Sequence, residues 1–151
     1  MYINVEYKHD IVETNKMKAE DVRSLIFSED VALVDIDNGR ICKRAAGGYT
    51  LATDGTDERI FLATTPELGG DLRELGQFYN PKGKETRFFE ITLGDIYSTT
   101  AYVGDDLQVG DILSVGADGK LVKGSDGTRQ FEVKALRQLA NFKGIKVENI
   151  K

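Results

Sequence analysis

Two segments sixteen residues apart carry nearly the same hexapeptide, Leu93-Gly94-Asp95-Ile96-Tyr97-Ser98 and Val109-Gly110-Asp111-Ile112-Leu113-Ser114. Each runs apolar, Gly, Asp, Ile, apolar, Ser. Glycine adopts the positive-φ backbone of tight turns that a Cβ resists, and a β-branched Ile then favours a strand. The pair predicts two equivalent strand entries, with Gly94 and Asp95 turning the chain into one strand and Gly110 and Asp111 into another. A chain built this way folds as short strands joined by tight turns.

The rest of the sequence repeats that chemistry. There are 16 glycines against 2 prolines, the balance of a turn-rich β structure. Asn38-Gly39 lies between Val31-Ala32-Leu33-Val34-Asp35-Ile36 and Ile41-Cys42, and Asp118-Gly119 lies between Ile112-Leu113-Ser114-Val115 and Leu121-Val122. Both pairs predict hairpin turns at Asn38, Gly39 and at Asp118, Gly119, because Asn-Gly and Asp-Gly favour positive φ. Asp54-Gly55 and Asp126-Gly127 carry the same signal. The apolar run Ile60-Phe61-Leu62-Ala63 predicts a buried strand. From Gln130 to Ile150 the pattern predicts strand, turn at Gly144, strand.

Two regions depart from this regularity. Residues 1–30 form a separate N-terminal arm or strand: Ile3, Val5 and Tyr7 alternate with polar residues, and Glu13–Ser28 allows a short helix or an extended arm. Residues 31–151 form the β-rich domain. Within it, Pro66–Glu85 reads as a long polar surface loop, beyond the usual connection length. The expected fold is mainly β, a small β-barrel or β-tulip-like domain with short hairpins, an N-terminal arm and a long polar loop.

Composition excludes several functions. The chain of 151 residues can bury a core without metals or disulfides. A single cysteine, Cys42, fits a reducing cytoplasm as the place of synthesis. The net charge of −5 argues against a nucleic-acid binder, and no apolar run is long enough to span a membrane. His9 is the sole histidine and reads as a surface residue; neither it nor Cys42 stands at metal-ligand or catalytic spacing. Asp35-Ile36-Asp37-Asn38-Gly39 has the wrong register for an EF-hand, and Gly76–Lys84 the wrong spacing for a P-loop. Adjacent carboxylates at Glu29-Asp30, Asp57-Glu58 and Asp105-Asp106 point to opposite sides of an extended chain. No enzyme, cofactor or metal is expected.

The run Lys82 to Ser98, with Val109-Gly110-Asp111-Ile112-Leu113 and Gly116-Ala117-Asp118-Gly119-Lys120-Leu121, resembles the auxiliary head proteins of tailed bacteriophages, the decoration or cement proteins. The resemblance implies a virion structural protein on the capsid exterior, made in the host cytoplasm. It also implies a homo-oligomer, such as a trimer, that bridges neighbouring major capsid subunits. In that role Tyr2, Ile3, Val5 and Tyr7 would form a partner-binding arm, unless the strand completes its own barrel. The alternatives are another virion structural or adaptor protein with a β domain, and a small-molecule or sugar-binding barrel, which the lack of tryptophan disfavours.

Overall fold

The computed structural model describes residues 9–16, 30–57, 59–65, 79–139 and 142–151. The protein is mainly β. Its strands are β1 (Val12–Lys16), β2 (Asp30–Val31), β3 (Ile41–Ala45), β4 (Gly48–Leu51), β5 (Phe61–Ala63), β6 (Glu85–Thr86), β7 (Phe88–Glu90), β8 (Ile96–Thr99), β9 (Ile112–Val115), β10 (Leu121–Lys123), β11 (Gln130–Leu139) and β12 (Phe142–Asn149). A six-stranded sheet has the order β1-β8-β12-β11-β9-β10, and a four-stranded sheet the order β4-β3-β5-β7. The short strands β2 and β6 pair separately. Every strand pairing is antiparallel. No helix among the described residues is long and apolar enough to cross a membrane.

The sheets do not close into the expected barrel. The edge of β10 is instead covered from within the domain: Val103 N–H donates to the Leu121 carbonyl (2.9 Å), and Leu121 N–H to the Ala101 carbonyl (3.0 Å). Leu33 N–H donates to the Tyr49 carbonyl at 2.8 Å and covers β4 in the same way. Irregular segments satisfy these edges, so closure is not needed to hide them.

The centre of the four-stranded sheet, at β5 and the start of β3, is buried on both faces. Ile41 and Leu62 face the six-stranded sheet and share a core with Tyr97, Leu113, Phe131, Val133, Ile145 and Val147. Their chain neighbours Cys42, Phe61 and Ala63 point the other way, into a second core with Ala32, Ile36, Tyr49 and Phe88. Successive strand residues alternate faces, so a strand covered on both sides must be continuously apolar. That is why Ile60–Ala63 is an uninterrupted apolar run. In the second core Tyr49 stacks on Phe88 with centroids 4.2 Å apart and meets Phe61 edge-on at 5.0 Å.

Several expectations are corrected. The chain reverses between Leu139 and Phe142, which pair directly, and Gly144 lies inside β12. Gly144 makes room: a Cβ there would meet Leu139 Cδ1 at 2.9 Å. Part of the first thirty residues is an edge strand, because β1 pairs with β8 over Val12–Lys16. The Pro66–Glu85 interruption is not all surface loop. Asn80 is 2% exposed and exchanges backbone hydrogen bonds with Ile36 at 2.8 and 2.9 Å, and β6 follows. Residues 66–78 and 17–29 lie outside the described residues, as does the arm containing Tyr2, Ile3, Val5 and Tyr7.

Candidate functional site

The two copies of the hexapeptide form the same device. Asp95 N–H donates to the Thr92 carbonyl (3.1 Å), and Asp111 N–H to the Gln108 carbonyl (3.0 Å). Gly94 and Gly110 have φ of 89° and 96° at the third turn position, as a type II turn requires. Each Asp then locks its turn through its carboxylate. Thr92 N–H donates to Asp95 Oδ2 (2.7 Å), and Gln108 N–H to Asp111 Oδ2 (2.8 Å).

Docking onto the sheet also repeats. Gly94 N–H donates to the Asn149 carbonyl (2.8 Å) and Asn149 N–H to the Asp95 carbonyl (2.9 Å). Gly110 N–H donates to the Val133 carbonyl (2.8 Å) and Val133 N–H to the Asp111 carbonyl (2.9 Å). β8 continues along β12 and β9 along β11, while β11 and β12 pair with each other. These pairings relate the two halves of the sheet by a pseudo-two-fold axis through the opposed residues Glu132 and Glu148. Lys134 relieves that like-charge pair, with Nζ 2.7 Å from Glu132 and 3.5 Å from Glu148. Its hydrogen bond to Glu132 holds the ammonium above its ordinary range.

At the tips of these turns Leu93 is 57% and Val109 63% exposed. Hydrogen bonds from both sides fix the backbone beneath them, so each presents an apolar side chain with little backbone entropy left to lose on binding.

The Asp118-Gly119 pair closes the β9–β10 hairpin. Asp118 (φ 59°, ψ 23°) and Gly119 (φ 68°) are the central residues of a type I′ turn, and Lys120 N–H donates to the Ala117 carbonyl at 3.2 Å. Gly119 also lies against the backbone of Ile41, where a Cβ would have no room. Asn38-Gly39 forms a turn but not the expected hairpin. Only Gly39 has positive φ (90°), so the turn lacks the I′ twist and its arms diverge. Ile36 leaves to pair with Asn80, and Ile41 with Leu62. Asn38 itself is 3% exposed and acts as a clamp: its amide donates to the Thr65 carbonyl (2.8 Å) and its Oδ1 accepts from Thr65 N–H and Asn80 Nδ2, both at 3.1 Å.

Sequence spacing does not reveal the network beside this turn. His9 Nδ1 lies 2.6 Å from Asp37 Oδ1, and its ring stacks on Tyr79 at 4.6 Å. Arg40 donates from Nε to Asp10 Oδ2 (2.7 Å) and from Nη1 to the Asp118 carbonyl (3.0 Å), while Thr100 Oγ1 donates to Asp10 Oδ1 (2.9 Å). His9 is therefore tethered rather than a free surface residue, and the network ties the start of β1 to both Gly-containing turns. Asp35 is engaged too, accepting from Lys82 N–H at 2.8 Å.

Cys42 is fully buried, and burial pushes its thiol far above the usual range, so no thiolate is presented to solvent. No cluster of three metal-ligating side chains occurs among the described residues. Two small open grooves are present: one of about 300 Å³ beside Ser114 and Lys123, and one of about 260 Å³ between Tyr102 and Leu136. No family model, curated protein or solved structure matches the chain.

Proposed function

We propose that this chain is a non-enzymatic structural protein of the virion that decorates the head of a tailed bacteriophage and bridges neighbouring major capsid subunits. The observation that carries this reading is the pair of locked Gly-Asp turns, each holding an apolar side chain, Leu93 or Val109, out in solvent. Anchors of this kind bind without first having to be ordered. The turns also belong to the stretch whose sequence resembles decoration proteins. Tyr2, Ile3, Val5 and Tyr7 supply a second contact by strand addition, and oligomerisation, as a trimer, multiplies the attachment points.

Co-sedimentation with heads assembled from the major capsid protein of the same phage tests the proposal. The parent protein co-sediments at saturable stoichiometry, and Leu93→Asp/Val109→Asp releases it while leaving the melting temperature within a few degrees of the parent. Deletion of residues 1–8 weakens attachment further. A parent protein that stays in the supernatant at every concentration contradicts the reading.

A further inference from the structure

The pseudo-two-fold provides an internal control for the core. On the inner face of the first half stand Tyr97 of β8 and Asn149 of β12. In the second half the equivalent places are taken by Leu113 of β9 and Val133 of β11. All four residues are 0% exposed. Leu113 and Val133 bury only hydrocarbon, whereas Tyr97 and Asn149 bury a hydroxyl and a carboxamide. The Tyr97 hydroxyl and both polar atoms of the Asn149 side chain have no hydrogen-bond partner among the described residues.

The two residues are diagonal neighbours on the inner face of the sheet. Tyr97 stands opposite Val147, and Asn149 is the next inward-facing residue along β12. Phe131, opposite Asn149, meets the Tyr97 ring edge-on at 6.2 Å. Asp95, 1% exposed, adjoins both: its carbonyl accepts from Asn149 N–H, and its charge adds to burial in raising the Tyr97 hydroxyl's pKa. A hydroxyl and a carboxamide sealed from solvent are costly unless paired, and a buried water commonly pairs such groups by making two to four hydrogen bonds.

We propose that Tyr97 and Asn149 form an internal binding site for a water-sized hydrogen-bonding ligand, water itself, present in this half of the sheet and not in the other. The Tyr97 hydroxyl and the Asn149 amide hold the molecule between β8 and β12, just beneath the turn that Asp95 locks. The site is a polar joint in an otherwise apolar core.

NMR of the full chain tests this directly. The parent shows a rotating-frame contact between a long-lived water and the Asn149 side-chain amide protons. Tyr97→Phe keeps the ring, removes one of the water's partners, and abolishes that contact. No long-lived water at the Asn149 amide in the parent, or an unchanged contact in Tyr97→Phe, would overturn the proposal.

Discussion

The β8–β12 half of the large sheet and the β9–β11 half share a backbone and differ in what they bury. Turn type, positive-φ glycine, carboxylate lock and the reciprocal bonds to the central hairpin are the same in both. The buried pair is Tyr97 with Asn149 in one and Leu113 with Val133 in the other. Flanking support differs as well. Asp95 is sealed and takes both the N–H and the hydroxyl of Thr92, while Asp111 is 20% exposed at its side chain and lies 3.6 Å from Lys123. Backbone geometry admits one solution at a strand entry of this kind. A core admits many, provided volume is filled and polar atoms are paired.

The largest effects should fall on the shared feature. Gly94→Val and Gly110→Val each force a β-branched residue into positive φ and should cost about 1–3 kcal/mol apiece. Urea unfolding of the two variants should give similar losses. One variant as stable as the parent would mean that the turns are not equivalent.

The carboxylate locks should separate the halves. Asp95→Asn removes the charge from a buried acceptor of two hydrogen bonds, and should cost about 1–2 kcal/mol. Asp111→Asn should cost less than about 1 kcal/mol, because solvent and Lys123 already share that carboxylate. Equal losses in chemical denaturation would erase the distinction drawn from burial.

Alkaline pH should distinguish them more finely, since only the first half carries a titratable core residue at this place. Burial, aided by the charge of Asp95, raises the Tyr97 hydroxyl's pKa in the folded state. The unfolded chain ionises first, so this contribution to stability is intact below about pH 10 and is lost as the pH rises further. At pH 10.5 the loss from this group is on the order of 1 kcal/mol. Tyr97→Phe should flatten the fall in stability by that amount, whereas Leu113→Ile should leave its slope unchanged.

What the sequence disclosed was local. The hexapeptide repeat and the type I′ turn at Asp118-Gly119 were legible because positive φ is a property of two adjacent residues. The continuous apolar run at β5 was legible because burial on both faces leaves no polar position. Asn38-Gly39 shows the limit of such reasoning. The dipeptide specifies a turn, but the pairing of its arms depends on Asn80 and Leu62, far along the chain. Gly144 has the same lesson, since the space it leaves is filled by Leu139. The His9, Asp10, Asp37, Arg40 and Thr100 network was illegible because, apart from Asp37 and Arg40, its partners lie between 27 and 90 residues apart. No spacing rule connects residues at such separations. The exposed apolar tips at Leu93 and Val109 are written in the repeat itself, but a sequence does not distinguish a solvent-facing Leu from a buried one.

The central claim is that one turn, used twice, docks two strands onto the two members of one hairpin. Scalar couplings measured across hydrogen bonds in isotope-labelled protein test it most directly. The account predicts one coupling from the Gly94 amide to the Asn149 carbonyl and another from the Gly110 amide to the Val133 carbonyl, with both amides protected from solvent exchange. Couplings to the opposite strands, or free exchange at either glycine, would contradict it.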